Sequence, residues 1–227
     1  MEPTIYKPSI YKGTGIYKNG ANGGGGGGGD EMAPLIISTP KSSVPIGEIE
    51  EGVFTARASN VGLTYGKEID ISSADKFVLE ISWKIPQLQK YSGYSNGIYL
   101  NRAEDANPTL FFFNYESGGA GFFEYKVYDS NNNTNARVHL NANYGTLFSN
   151  KTNIRAEFIK SLKQLKVYHN DNLIGTSNLT GPVNYTGVWR PIIGGTRPGS
   201  NLENLLKSGD EIYLNETHFY LDDVKQW

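Results

Sequence analysis

Seven consecutive glycines, Gly23 to Gly29, constrain the fold of this chain more than any other stretch. Glycine has no side chain to bury and loses the most backbone entropy on ordering, so such a run is a poor interior for a compact domain. We therefore interpret residues 1–22 as a tail, residues 23–33 as a glycine-rich spacer and residues 34–227 as one folded domain. A flexible coil is the favoured state of the run. The alternative is that the glycines of several chains pack side by side, since only a residue without Cβ allows such close approach.

The tail repeats one tripeptide three times, as Ile5-Tyr6-Lys7, Ile10-Tyr11-Lys12 and Ile16-Tyr17-Lys18. Proline and glycine residues lie between the copies and oppose a helix, so the pattern predicts an extended segment. An extended segment can add to the edge of a partner's sheet while its side chains fill pockets. We interpret the tail as a docking segment. The alternative is a disordered tail in which the repetition arose by chance.

The composition favours an all-β domain and excludes several function classes. Aromatic residues make up 12% of the chain and 15 of its residues are tyrosine, a type that is enriched in strands. The net charge of −2 gives no support for nucleic-acid binding. The absence of cysteine excludes disulfides and thiolate metal sites. No apolar run approaches the length of a membrane span and the N-terminus lacks the apolar core of a signal peptide, so we expect no membrane insertion.

Alternating apolar and polar residues predict strands through most of the domain. In Phe77 to Ile85 every second residue is apolar, which is typical of a half-buried strand. Asn, Gly, Asp and Ser cluster between such runs and indicate turns, so the sequence predicts an antiparallel sandwich with one short helix at Leu202–Lys207. The other predicted strands are Val53–Ala58, Gly97–Asn101, Thr109–Tyr115, Phe122–Tyr128, Arg137–Asn141, Ile154–Ile159, Leu165–His169, Ile192–Gly194, Ile212–Leu214 and Thr217–Val224.

Three motifs in the second half of the chain are more specific. Leu165-Lys-Val-Tyr168 with Asn170 is followed by Trp189-Arg-Pro-Ile-Ile-Gly-Gly195 and by the terminal segment His218 to Lys225. This order resembles the concanavalin A-like lectin and laminin-G-like superfamily, which implies an antiparallel jelly-roll β-sandwich. Asp171-Asn172 stands where that superfamily usually has a glycine, but both residue types can adopt a left-handed turn.

The tail carries a second resemblance, over about twenty residues. Its Ile-Tyr-Lys repeats resemble the N-termini of fibre or adhesin proteins of crAss-like tailed bacteriophages of Bacteroides. The resemblance implies attachment to other proteins of the virion, in the capsid or the tail, through Ile5 to Lys18, and assembly in the host cytoplasm. The way fibres are built, together with the glycine run, favours a homo-oligomer, with a trimer as the first expectation.

The residue patterns of hydrolases are missing. Glu68-Ile-Asp70 starts like a glycosidase strand but lacks the second glutamate, and Asp222 and Asp223 are adjacent, so on a strand they would point to opposite faces. No motif around the three histidines suggests a catalytic triad or a metal site, and we interpret each as an ordinary sheet residue; they are His139, His169 and His218. We therefore expect no catalytic activity.

Sugar-binding faces combine aromatic platforms with polar partners. Our candidates are the aromatic residues Tyr91, Tyr94, Tyr144, Tyr185 and Trp189, with Arg190 and Arg197 as polar partners. No cofactor is expected. The run from Asp129 through Asn131 and Asn133 indicates a loop. The resemblance to lectins implies the alternative, a structural calcium ion held by the oxygens of these residues.

Together these features predict a non-enzymatic virion protein, as a fibre, decoration or adhesin subunit. Its tail would anchor it and its lectin-like domain would face cell-surface glycans. Two alternatives stay open at this point: a purely structural virion protein without sugar binding, and a bacterial carbohydrate-binding module.

Overall fold

A computed structural model of the chain provides the structure. Contacts divide the chain into two units, Met1–Asp30 and Glu31–Trp227, and all described residues belong to the second. The described residues are 34–38, 47–57, 61–65, 69–86, 94–96, 98–102, 108–116, 122–129, 134–140, 148–183, 185–193 and 206–226. The predicted tail and spacer, and the boundaries drawn around them, lie outside these ranges.

The described part of the second unit consists of strands with one short 3-10 helix, Leu214–Glu216. In chain order the strands are β1 (Pro34–Ser38), β2 (Gly47–Glu50), β3 (Val53–Ala56), β4 (Val61–Tyr65), β5 (Ile69–Asp70), β6 (Lys76–Lys84), β7 (Tyr94–Asn96), β8 (Ile98–Arg102), β9 (Pro108–Glu116), β10 (Phe122–Asp129), β11 (Thr134–Leu140), β12 (Thr152–Ile159), β13 (Gln164–His169), β14 (Asn172–Asn178), β15 (Val188–Ile193), β16 (Glu211–Tyr213), β17 (His218–Leu221) and β18 (Val224–Lys225).

The described strands form two nine-stranded sheets, and their pairings are antiparallel. Sheet 1 has the order β1-β4-β15-β8-β9-β10-β11, with β5 beside β15 and β7 beside β9. Sheet 2 has the order β14-β13-β12-β6-β16-β3-β2, with β17 beside β6 and β18 beside β17. Neighbours in each sheet are often distant in sequence, which is the crossing pattern of a jelly roll. The predicted all-β jelly-roll sandwich is confirmed.

The core lies between the two sheets, because one cluster of buried residues takes members from both. Strand β6 shows the predicted alternation: Phe77, Leu79, Ile81 and Trp83 are each fully buried. Its opposite face is less exposed than predicted, since Ser82 is fully buried too. Ser82 pairs with Asn153 of β12, whose side chain donates to the Ser82 hydroxyl, and the Ser82 amide N donates to Thr217 Oγ1 at 3.4 Å.

Most predicted strands are confirmed with shifted ends, and two predictions need correction. The predicted strand Thr217–Val224 is two strands, because Asp222 and Asp223 have φ angles of 46° and 67° and form a turn between β17 and β18. The predicted helix at Leu202–Lys207 is not supported by its described residues, Leu206 and Lys207, neither of which is helical; the rest of it lies outside the description.

Candidate functional site

The outer face of sheet 2 presents a row of polar and aromatic side chains across four strands. Val167 of β13 is buried, so the next residue, Tyr168, lies on the opposite, outer face. Tyr168 pairs with Arg155 of β12, Arg155 pairs with Glu80 of β6, and Glu80 pairs with His218 of β17. We call these four residues the cross-strand row. Because neighbouring strands are about 4.8 Å apart, the row is about 14 Å long.

Tyr168 stands at one end of the row with one ring face covered. The Arg155 guanidinium carbon lies 4.7 Å from the centre of the Tyr168 ring, a cation–π contact. On the other side Tyr168 pairs with Leu173 of β14, whose side chain is 55% exposed. Tyr168 is half-buried, so part of the residue remains accessible to solvent beside Leu173.

A tight turn beside Tyr168 joins β13 to β14. Asn170 and Asp171 have φ angles of 44° and 65°, and His169 pairs with Asn172 across the turn. Two consecutive positive φ angles match the twist of a two-residue hairpin, and Asn and Asp adopt them more readily than most residues. The predicted left-handed turn is thus confirmed for Asp171, but its partner is Asn170, while Asn172 is the first residue of β14.

Three asparagines at this end of the sheet are fixed by hydrogen bonds to one another. The Asn170 amide N donates to the Asn153 carbonyl O at 3.1 Å, and the Asn153 amide N donates to Asn170 Oδ1 at 3.3 Å. Asn172 Nδ2 donates to the Asn170 carbonyl O at 3.0 Å, and Asn153 Nδ2 donates to Ser82 Oγ at 3.1 Å. The turn is thereby tied to β12, and exposed polar groups are held near the Tyr168 ring.

The middle of the row belongs to an ion-pair network centred on Glu157, whose side chain is only 8% exposed. Its carboxylate lies 2.8 Å from Arg155 Nη2 and 3.8 Å from Nζ of both Lys76 and Lys166. Arg155 Nε also lies 3.9 Å from Glu80 Oε1. A largely buried carboxylate needs such partners to offset its lost hydration. The cations of this network are already bound to carboxylates.

A second aromatic group lies at the other end of the row. Tyr220 of β17 donates its hydroxyl to Glu80 Oε2 at 3.2 Å, and its ring meets the His218 ring edge-on with centroids 6.2 Å apart. Burial, with the Glu80 charge as a further cause, raises the pKa of Tyr220. The hydroxyl therefore stays protonated near neutral pH and keeps its hydrogen bond to Glu80.

Two residues predicted as glycan platforms are core residues instead. Tyr185 and Trp189 are both fully buried, with ring centroids 5.7 Å apart. Tyr185 also lies against Phe158 of sheet 2, and Trp189 Nε1 donates to the Thr186 carbonyl O at 2.9 Å. The prediction was wrong for these two, because their rings fill the space between the sheets and cannot stack on a ligand outside it.

The remaining sequence-predicted site residues stay predictions. Tyr94 lies on β7 opposite Tyr115, and Arg190 lies on β15 opposite Asn101, but the description covers only their backbone. Asp129 ends β10. The other candidates lie outside the described residues: Tyr91, Tyr144 and Arg197 of the glycan set, Asn131 and Asn133 of the calcium alternative, and Ile5, Tyr6, Lys7, Ile10, Tyr11, Lys12, Ile16, Tyr17 and Lys18 of the tail.

Three of the carboxylates considered as catalytic candidates hold turns or form an ion pair. Asp70 Oδ1 accepts from the Ser72 amide N at 2.9 Å, and hydrogen bonds from the Ser72 side chain and backbone lower the pKa of Asp70. Asp222 Oδ1 accepts from the backbone N of Asp75 and of Lys76, at 3.1 and 2.8 Å. Asp223 pairs with Lys76 Nζ at 2.8 Å. Glu68 lies outside the description.

The histidines lie on three separate strands, as predicted: His139 on β11, His169 on β13 and His218 on β17. Within the described ranges no group of three or more His, Asp or Glu residues could hold a metal ion. In the same part of the chain no helix has the length and apolar character to cross a membrane.

The cross-strand row was not predicted from the sequence, although a signal for it was present. Tyr168 was used only as part of the hairpin motif, yet it directly follows Val167, and alternation places it on the solvent face. Tyr220 stands between the buried residues Phe219 and Leu221 in the same way. Arg155 and Glu80 lie between the two tyrosines because strands from distant parts of the chain pair with one another. No local sequence pattern contains that pairing.

No protein-family model matches the chain, and no curated protein sequence matches it. Solved structures do match. The receptor-binding domain of a mosaic serotype C/D botulinum neurotoxin shares 10% identity at a TM-score of 0.53, covering 86% of this chain and 43% of that one. A legume lectin-like domain from Entamoeba histolytica shares 13% identity at a TM-score of 0.50, covering 83% of this chain and 89% of that one.

The described strands have the concanavalin A-like lectin fold. At such low identity the likeness concerns the fold alone. A sialidase also matches, with 11% identity and a TM-score of 0.50, over 84% of this chain but 17% of that one. The chain spans less than half of the toxin and sialidase structures it resembles, and nearly the whole of the amoebal lectin-like domain.

Proposed function

We propose that this chain is a non-enzymatic structural protein of a bacteriophage virion that displays a glycan-binding, lectin-like domain. In this proposal the Ile-Tyr-Lys tail anchors it to the capsid or the tail of the particle. The folded domain then faces outward as a fibre, decoration or adhesin subunit. The protein assembles in the host cytoplasm as a homo-oligomer, with a trimer as the first expectation.

The observation that carries glycan binding is the end of the cross-strand row at Tyr168. A half-buried tyrosine, with a guanidinium group over its ring, lies beside an exposed Leu173 and a turn rich in Asn and Asp. Stacking on an aromatic ring, together with fixed polar groups around it, is a chemistry that suits a sugar, which has both apolar ring faces and many hydroxyls. The receptor-binding and lectin-like names of the matched structures support the same role.

The contacts of three described carboxylates support a binding role rather than hydrolysis. Glu157 is held by three cations, and Asp70 and Asp222 hold turns. Cleavage of a glycosidic bond needs two carboxyl groups free to act on either side of that bond. The virion role is supported by the sequence of the tail alone.

The proposal is tested by placing the purified full-length protein on a glycan array that contains bacterial surface polysaccharides. We expect binding to a subset of the glycans without release of reducing ends. If a folded, assembled protein binds none of them, the glycan-binding role is wrong and a purely structural role replaces it. If it shortens any of them, the non-enzymatic assignment is wrong.

A further inference from the structure

We infer that the outer face of sheet 2 binds an extended, uncharged oligosaccharide that runs across the strands, from Tyr168 at one end to the Tyr220–His218 pair at the other. This inference rests on the proposed function and names its site and its class of ligand. The inferred site is larger than the single aromatic platform at Tyr168, because the ligand must contact both ends of the cross-strand row.

The first argument is the distance between the two aromatic groups. Tyr168 lies on β13 and His218 on β17, with β12 and β6 between them, so three strand spacings of about 4.8 Å separate them. A single pyranose ring is comparable in size to one tyrosine ring and cannot contact both groups. A chain of several sugar rings can, and it would lie perpendicular to the strands.

The second argument is what lies between the aromatic groups. Arg155 and Glu80 occupy the middle of the row with side chains 30% and 31% exposed. Each is already held in place, Arg155 by Glu157 and Tyr168, and Glu80 by Tyr220. Fixed donors and acceptors lose little entropy when hydroxyl groups bind to them, which favours a polar ligand over an apolar one.

The third argument concerns charge. The network around the row contains three basic residues and three acidic residues that pair with one another; the basic ones are Lys76, Arg155 and Lys166, and the acidic ones are Glu80, Glu157 and Asp223. An anionic sugar would compete with Glu157, whose side chain is only 8% exposed, for these cations, and a buried carboxylate that loses a partner is costly. A neutral sugar needs no such exchange.

The experiment measures affinity against ligand length with the full-length protein. The neutral probes are gluco- and manno-oligosaccharides of one to six residues, together with any neutral chain found on the array. The anionic probes are oligogalacturonates of the same lengths. We expect the affinity for a neutral series to rise at least about tenfold between one and four residues. The anionic series should bind at least about tenfold more weakly. A tenfold change in affinity corresponds to about 1.4 kcal/mol.

Variants then locate the ligand. Tyr168→Ala and Tyr220→Ala should each weaken binding of the long neutral ligand by about tenfold or more, as truncating a central aromatic contact commonly does. Tyr220→Phe keeps the ring and should retain most of the binding, which separates stacking from a folding defect. Tyr213→Ala is the matched control. Its hydroxyl donates to Glu211 as that of Tyr220 donates to Glu80, but it lies outside the row.

The outcomes separate this inference from the proposed function. If glycans bind but affinity does not grow with length, or only anionic ligands bind, the extended neutral site is wrong and glycan binding stands. The same holds if folded Tyr168→Ala and Tyr220→Ala proteins bind like the wild type. If neither probe series nor the array gives a ligand, both the inference and the glycan-binding role are wrong.

Discussion

At the scale of single residues, short acidic side chains in this fold serve mainly to hold turns. Asp222 is the clearest case, because its carboxylate accepts two backbone N–H groups from the segment that begins β6. That segment is also tied to the turn after β12, since the Asp75 carboxylate accepts from the Ser161 amide N and hydroxyl, both at 2.7 Å. Three turns from distant parts of the chain are thus joined by two carboxylates.

We predict that Asp222→Ala lowers the free energy of unfolding by about 2 kcal/mol, because it removes two hydrogen bonds to a charged acceptor. Asp223→Ala is the control, since both residues have positive φ angles and share any backbone penalty. The Asp223 side chain is 74% exposed and forms an ion pair with Lys76, so its loss should cost less than about 1 kcal/mol. Urea denaturation of both variants measures the difference, and equal losses would contradict the assigned role of Asp222.

At the scale of elements, β15 begins four residues before the strand predicted at Ile192–Gly194, and it includes Trp189. Pro191 lies within β15, although a proline usually argues against an inner strand. On one side of β15, β5 pairs at Val188 and Trp189 and β4 pairs at Ile192 and Ile193, so Pro191 falls in the gap between two partners. On that side no residue is paired with Pro191, whose partner is Leu100 of β8 on the other side, and the strand runs through the proline with Trp189 in the core.

The edges of the two sheets meet where β14 lies against β11. A Cβ atom added at Gly175 of β14 would lie 2.6 Å from Val138 Cγ1 of β11, closer than real Cβ contacts come. The Arg137 amide N of β11 also donates to Ser177 Oγ of β14 at 3.0 Å. The glycine therefore permits the close approach of two edge strands, which limits their exposure to pairing with other chains.

We predict that Gly175→Ala destabilises the domain by about 1–3 kcal/mol through overpacking. The Val138→Ala substitution removes the methyl group that the new Cβ atom would contact. In that background, Gly175→Ala should therefore destabilise the domain clearly less. Thr176→Ala, at the exposed neighbouring position, serves as the control. Thermal unfolding of the four combinations gives the coupling between the two sites, and an unchanged penalty in the Val138→Ala background would contradict the contact.

At the scale of the whole molecule, the sequence was sufficient for the fold and insufficient for the site. Alternation in β6 is a local pattern that correctly predicted an antiparallel sandwich, and the resemblance that includes the hairpin around Val167 and Tyr168 correctly implied the jelly roll. The cross-strand row depends on β17 pairing with β6 more than a hundred residues away, and the core position of Tyr185 depends on the opposite sheet. Single-residue site predictions made from apparent loops therefore failed where tertiary contacts decided burial.

The proposed anchoring of the protein by its tail also concerns the whole molecule. Deleting residues 1–20 should abolish incorporation into virions, because it removes the three Ile-Tyr-Lys copies, while leaving the β-sheet circular dichroism and the glycan binding of the domain unchanged. Replacing the three tripeptides by Gly-Ser-Gly in the full-length chain is the matched control for length. Normal incorporation of either variant, measured by mass spectrometry of purified particles, would contradict docking through the repeats.

The most direct test of the central claim compares the full-length wild type with Tyr168→Ala and Tyr213→Ala on one glycan array. The account predicts that the wild type and Tyr213→Ala bind the same neutral glycans, and that a folded Tyr168→Ala protein loses most of that signal. Retention of the wild-type glycan profile by Tyr168→Ala would contradict it.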